Sequence, residues 1–493
     1  MTPRFIIANA RDNVAIAIAD LAAGDVLTNG CMVAEPISAG HKVALTAIAS
    51  GDAVIKLGQP IGLASDAIAA GAHVHSHNLH FARTPAGSET GVDLRTPEPV
   101  EASFDGFVRA DGQIGTRNFI GILTSVNCSA TVARRIAAHF TPERLAAFPY
   151  VDGVVAFTHH SGCGMAKDGR GIENLRHTIT GYATNPNFAG VLLVGLGCEV
   201  NQIQDMPGFR GDALNIQDAG GTAAAISAGI EIAERLVRSA NLCRRQSVSA
   251  ANLTIGLQCG ASDGYSAITA NPALGAAVDR LVAAGGRAIL SETPEIYGAE
   301  HLLVRRAVSP DVADILADRL VWWEEYAARD GASLDNNPSP GNKAGGITTI
   351  LEKSLGAVAK AGSTPLNAVI DYARTVTAPG LTFMDSPGYD PCSATGQIAG
   401  GAHLILFTTG RGSVFGSIPS PTIKLASNAA LARNMADDID VDCSGILDGV
   451  SVDDMGAQIF ARILETASGR KTASELLGLG ENEWVPWIPG ATY

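Results

Sequence analysis

The sequence predicts an α/β protein in which a small β-rich module precedes two α/β regions with largely parallel sheets. Three observations carry this. Short apolar runs, FIGILTSV, VVAFT, VLLVGL and LTIGLQ, each lead into a loop that holds a cysteine: Cys128, Cys163, Cys198 and Cys259. The first three are evenly spaced, about 35 residues apart, close to one βαβ unit of ~30 or more residues. Ala-rich stretches such as ATVARRIAAHF and TAAAISAGIEIAERLVRSA lie between apolar runs, and that alternation implies crossover helices on a parallel sheet. Thiols at successive strand ends are expected to meet on one sheet edge, where open α/β sheets place their ligands.

Composition narrows the class. A chain of 493 residues exceeds one ordinary core, and about 100–200 residues per domain gives two to four. Hydrophobic residues make up 46% and charged residues 17%, with 55 glycines, a profile of buried parallel strands joined by tight loops. The net charge of −14 with no Lys/Arg-rich run argues against nucleic acid or a lipid surface as partner. It leaves room for a small anionic substrate, because local cations govern a pocket. The first residues, MTPRFIIANARDN, lack an apolar signal region, and no uncharged apolar stretch reaches about 18 residues. A cytoplasmic protein is expected, with its eight cysteines as reduced thiols.

The organisation follows in order. Residues 1–83 carry short apolar runs broken by Gly, Asp and Pro, and read as a β-rich module ending in the His-rich AAGAHVHSHNLHF. Residues 84–103, rich in Pro, Ser, Thr, Gly and acids, read as a linker. Residues 104–245 form the first α/β domain. A polar, basic break, CRRQSVSAAN, precedes the second, at 250–493. The tether suggests that the module swings as a lid over the sheet edge.

The loops THHSGCGM, GLGCEVNQ, VNCSAT and QCGASDG suit ligand binding better than core packing, although any single cysteine is commonly a small buried hydrophobe. Thiolate with imidazole selects Fe(II) or Zn, and the absence of a compact CxxC excludes a zinc finger. His159 is a candidate ligand or base; His160 reads as a loop histidine bonded to backbone. His75 and His77 alternate, so on a strand both face one side; surface histidines are the plain alternative. Glu292 and Glu295, after the expected strand RAIL, suit metal or proton abstraction, against a helix-start role. Lys343 in NPSPGNKAGG and Arg411 in TTGRGSVFG stand in Gly-rich loops that admit an anion, or are tight turns. Neither is a P-loop, and GLGCEV has Val200 where a dinucleotide fingerprint needs glycine.

The motifs HVHSHN, RADGQIGTRN, HHSGCG, GLGCE, QCGASDGYSAITANPALG, ETPEIYGAEHLL, SPGNKAGGITTILEKSLG, MDSPGYDP and FTTGRGSVFG resemble the altronate/galactarate dehydratase family across nearly the whole chain. MDSPGYDP and ETPEIYGAEHLL look closer to the galactarate-type branch, and Ala261 departs from the usual QCGGSDG. The resemblance implies an N-terminal SAF-type domain and metal-dependent loss of water from a sugar acid, giving a 2-keto-3-deoxy acid. Fe(2+) is the expected cofactor, with another divalent metal or an iron–sulfur cluster as alternatives; a non-catalytic sugar-acid binding protein is the rival class. On that reading Cys128, Cys163, Cys198, Cys259, His159 and Glu199 are expected metal ligands. Glu292, His75, His77 and His159 are expected acid/base groups. Lys343, Arg411, Asp263 and Asn342 are expected substrate contacts, and a homo-oligomer is the expected assembly.

Overall fold

The computed structural model describes residues 4–27, 30–83 and 89–493; residues 84–88 of the linker fall outside them. The N-terminal module holds two small antiparallel sheets. One pairs Phe5–Ile6, Val14–Ala17, Lys42–Ala44 and His73–Val74 in that order; the other pairs Ala53–Lys56, Gln59–Ala64 and Leu79–His80. The strand Val14–Ala17 is buried on both faces, hence its unbroken apolar run. Ala15 and Ala17 pack within the module, whereas Ile16 meets Tyr265 and Ile268 of the last α/β region. The His-rich end is not one strand: His73–Val74 and Leu79–His80 pair in different sheets, and residues 75–78 between them form a bend and turn. The alternation argument for His75 and His77 therefore does not hold.

The module is fixed rather than free to swing. Lys42 and Lys56 come from its two sheets, and both reach Glu352 on the helix Ile350–Ala359, at 2.8 and 2.7 Å. All three side chains are buried. Burial alone would raise the Glu352 pKa, but the two ammonium groups hold it well below the usual carboxylate range. The backbones close in around this point. Gly346 has a positive φ of 97°, and a Cβ there would lie 2.2 Å from the Gly40 carbonyl oxygen, so only glycine fits.

Residues 89–102, without regular structure, run against the last region. The Asp93 N–H donates to the Arg305 carbonyl at 3.0 Å, the Val100 N–H to that of Ala283 at 3.0 Å, and the Asp93 carboxylate pairs with Arg305 at 2.7 Å. The CRRQSVS break is in part a strand: Arg245–Ser249 pairs antiparallel with Ser103–Val108. Its side chains lack an apolar alternation, so the sequence pattern hid it; the ladder and the Arg245 guanidinium, 4.5 Å over the Phe107 ring, hold it in place.

Both α/β regions have parallel sheets. The first has the order Gly153–Phe157, Phe119–Thr124, Phe188–Gly195, Asp212–Asn215. The second has seven strands: Leu366–Ile370, Gly380–Met384, Arg287–Leu290, Thr254–Gly260, Leu404–Thr409, Thr422–Ala426 and Val441–Asp442. Their amino ends are joined by buried amides: Asn187 Nδ2 donates to the carbonyls of His403 and Pro419 at 3.0 and 3.1 Å. Among the described residues no helix is long and apolar enough to cross a membrane.

Glu352→Gln would leave two buried ammonium groups without a counter-charge, a loss of about 3–5 kcal/mol. We expect a clear drop in the urea midpoint. Because the native carboxylate pKa is depressed, the wild-type advantage should be complete above the unfolded Glu pKa of about 4.3 and fade as pH falls below it. Equal midpoints for the two proteins at pH 7 would show that the triad does not anchor the module.

Candidate active site

In the four-stranded sheet the first strand in sequence, Phe119–Thr124, lies between the second and third, so the connections turn in opposite directions from it. Such a reversal opens a crevice at the carboxyl ends. Cys128, Cys163 and Cys198 stand on the loops around this point, and all three thiols are exposed. The loops are tied together by amides. The Asn127 N–H donates to the Ser161 carbonyl at 2.9 Å and the Asn201 N–H to that of Gly162 at 3.0 Å; Asn201 Nδ2 donates to the Ser125 carbonyl at 2.9 Å. Gly162 has a φ of 97°, and a Cβ would lie 2.4 Å from the Ser125 oxygen, so the glycine before Cys163 permits the close approach. Beside Cys198 a cavity of about 640 Å³ is lined by Lys167, Asp168, Arg176, Glu199 and Asp205 among others.

Two expected ligands serve these loops instead. Buried His159 has both ring nitrogens engaged: Nε2 donates to the Thr124 carbonyl at 3.1 Å and Nδ1 accepts the Ser161 N–H at 3.2 Å. Burial lowers its pKa to about 4, so it stays neutral and structural. The Glu199 carboxylate accepts from the Ser125 hydroxyl at 2.5 Å and from the N–H groups of Leu196 and Gly197 at 3.1 and 2.7 Å. These bonds offset burial and depress its pKa, and they tie both carboxylate oxygens to the surrounding loops. The fourth thiol is elsewhere: Cys259 lies within the strand Thr254–Gly260 of the other sheet, fully enclosed. Its position inside an all-buried strand, rather than after it, escapes a pattern that marks only where an apolar run stops.

The expected substrate contacts divide in the same way. Asp263 is buried and accepts from the hydroxyls of Ser266 and Ser427, both at 2.8 Å, and from Asn428 Nδ2 at 2.9 Å. Asn342 caps its own short helix through Ser339 and donates to the Ser262 carbonyl at 2.9 Å. Both organise loops. Lys343 and Arg411 are exposed, and among the described residues neither side chain has a partner. Near Lys343 the module contributes His41, His73, His75 and His77, with successive ring centroids 5.1–5.5 Å apart. His75 Nε2 donates to the Lys343 carbonyl at 2.9 Å, and burial lowers its pKa. The neutral ring therefore carries its lone pair on Nδ1, where the exposed Ser76 hydroxyl meets it at 3.0 Å. His41 belongs to this group too, but it lies over 30 residues upstream of the His-rich segment and was missed for that reason.

Glu292 is enclosed, out of reach of a substrate in this conformation. It adopts a left-handed backbone, φ 70°, costly for a non-glycine residue. Around it gather Cys259, Glu295, Lys353, Lys360 and Asp390. Lys360 Nζ lies 2.9 Å from Cys259 Sγ, and Lys353 Nζ 2.7 Å from Glu295. Burial, then Glu295, raises the Glu292 pKa well above its ordinary value; burial also pushes Cys259 up to about 12 and Asp390 up to about 7. The lysines signalled nothing in the sequence, since a Lys in a helix is usually a solvated one.

The carboxyl ends of the two sheets are physically linked. Arg170, which opens the helix after the Cys163 loop, pairs with buried Asp385 at 2.5 Å and lies 4.2 and 4.7 Å over the rings of Trp322 and Trp487. Trp484 packs edge-on against His159, centroids 5.4 Å apart.

A module of two small β-sheets docked on two parallel α/β regions, with exposed thiols at a switch point, makes a three-part scaffold of the α/β class. Three family models match it: the altronate/galactarate dehydratase SAF domain over residues 3–82, the second domain of D-galactarate dehydratase/altronate hydrolase over 106–241, and the C-terminal domain of D-galactarate/altronate dehydratase over 250–492. Altronate dehydratase of Escherichia coli is 36% identical over 96% of this chain and 97% of its own. Galactarate dehydratase (L-threo-forming) of the same organism is 35% identical over 95% and 94%. The (2R)-sulfolactate sulfo-lyase subunit beta of Chromohalobacter salexigens is 31% identical over 76% of this chain and 95% of its own. The chain belongs to the altronate/galactarate dehydratase family and is a sugar-acid hydro-lyase. Near-equal identities do not separate the two branches.

Exposure sorts the thiols. Brief treatment of folded, metal-free protein with iodoacetamide should label Cys128, Cys163 and Cys198 and spare Cys259, Cys392 and Cys443, read by peptide mass spectrometry. Labelling of Cys259 as fast as Cys163 would contradict the enclosed cluster.

Proposed function

We propose that this enzyme removes water from a hexarate or hexonate of the galactarate or altronate kind, giving the 2-keto-3-deoxy acid, with Cys128, Cys163 and Cys198 holding the iron centre the reaction requires. The observation that carries the reading is the trio of exposed thiols on laced loops at one switch point, when the neighbouring candidates His159 and Glu199 are spent on the loops themselves. Three thiolates there would suit iron. Such a centre supplies Lewis acidity to the departing hydroxyl.

Among the described residues, one group of three His, Cys, Asp or Glu ligand atoms lies mutually within 4.8 Å, and it is not this trio. A tetrahedral ion with metal–sulfur bonds of about 2.3 Å needs sulfurs about 3.8 Å apart. In this conformation at least one pair of the three sulfurs lies beyond that spacing, so a single ion would need a change of rotamer.

The chain's own groups do the rest. The C2 proton is weakly acidic until the adjacent carboxylate is neutralised, a task for the uncommitted Lys343 ammonium and Arg411 guanidinium. The neutral His75 accepts that proton at Nδ1, and its bond to the Lys343 carbonyl holds the ring. His77, exposed at the same turn, is the alternative proton carrier. The Arg170–Asp385 pair keeps the carboxyl ends of both sheets together, as a reaction drawing on both requires.

Anaerobic protein reconstituted with iron, assayed on a panel of sugar acids for 2-keto-3-deoxy product, tests the reading; turnover by metal-free protein would end it. Cys163→Ser and Cys198→Ser should lower iron content and rate together. Lys343→Ala and Arg411→Ala should each cost about 1.5–3 kcal/mol, or roughly one to two decades in kcat/KM. Since burial lowers the His75 pKa, the acid limb of the kcat/KM profile should fall below the ordinary His value of about 6.5, and a limb unmoved in His75→Gln would remove that residue from the role.

A further inference from the structure

We propose a second metal site, separate from the thiol edge, in which a borderline dication such as Zn(II) or Fe(II) is held by Cys259, Glu292 and Glu295. One ligand atom from each of these buried residues lies within 4.8 Å of the others. Cys259 Sγ and Glu295 Oε2 are 3.7 Å apart; a tetrahedral ion with a sulfur at about 2.3 Å and an oxygen at about 2.1 Å sets them about 3.6 Å apart. Independently, both carboxylate oxygens of Glu292 are buried without a hydrogen-bond partner, and the nearest opposing charge to it is Lys360, 3.7 Å from Oε2. A buried carboxylate left this way is costly unless something else meets it.

The two lysines do not fill the place. Lys353 is engaged by the outer oxygen of Glu295 at 2.7 Å and by Asn337 Oδ1 at 2.6 Å, which leaves Glu295 Oε2 facing the thiol. Lys360 sits on the sulfur at 2.9 Å, and Glu292 Oε1 is buried without a hydrogen-bond partner. Asp390 closes the cluster, its Oδ2 2.6 Å from where a Cβ on Gly260 would stand. Fully ionised, the four acidic groups would exceed the two lysines by two negative charges, which one dication would balance, and a mixed sulfur and oxygen donor set selects a borderline metal over calcium or magnesium.

The test uses full-length protein carrying Cys128→Ser, Cys163→Ser and Cys198→Ser, so that the thiol edge cannot contribute, with Co(II) as the probe. About one cobalt ion per chain should survive desalting, with the near-ultraviolet charge-transfer band of a cobalt–thiolate bond. Adding Cys259→Ser should abolish the band, and adding the isosteric Glu292→Gln should abolish retention, each in protein whose circular dichroism and melting show it folded. Because either addition suffices, misfolding of one leaves the other to decide. A triple variant that retains no cobalt, or a band that survives Cys259→Ser, would overturn the proposal and leave Lys353 and Lys360 as the only cations of the cluster.

Discussion

The placement of everything else depends on one carboxylate. Glu352 receives an ammonium group from each of the two small sheets of the N-terminal module, and nothing polar around it is left to water. A charge trio of this kind gains little over a well-packed apolar contact, yet is severely penalised when one member is missing. Its effect is therefore on register. A module that docked one residue out of place would bury an unpaired charge, whereas an apolar interface would tolerate the slip. The His41–His77 group and the Lys343 loop face each other only because this register is held.

The same economy recurs at the loops. His159, Glu199, Asp263 and Asn342 bear the functional groups expected of a catalytic site, and each spends them on backbone groups or side chains of its own and neighbouring loops. What they leave behind are three exposed thiols, one of which, Cys198, accepts from Gln217 Nε2 at 3.4 Å, together with the exposed Lys343 and Arg411. Polar side chains that bond the backbone locally compete with regular structure, and here that competition shapes the crevice at the strand ends.

The fold was legible where burial is uniform. Strands walled on both faces by helices write themselves as apolar runs, and Phe119–Thr124, Phe188–Gly195 and Leu404–Thr409 were found that way. Arg245–Ser249 was not, because a strand exposed along one side and paired through its backbone leaves a polar sequence. For the site, the sequence marked residue types well and their employment poorly. Cys128 and Cys163 look like Cys259 in one dimension, since a thiol after an apolar run and a thiol inside one differ by a single position. The lysines that meet Cys259, Glu292 and Glu295 come from a helix some 60 to 100 residues further on, and no local pattern links them. Motif resemblance identified the family because it draws on long words rather than on spacing.

The tryptophans carry a practical consequence. The chain has four, and all of them stand along the seam between the two α/β regions: Trp322, Trp323 and Trp487 in mutual contact with Arg170 over two of them, and Trp484 against His159. Tryptophan fluorescence, excited where tyrosine does not absorb, is therefore the signal of this seam alone. A chain of nearly five hundred residues comes with a native optical probe of the joint between its sheets, one that remains silent about the N-terminal module and needs no label.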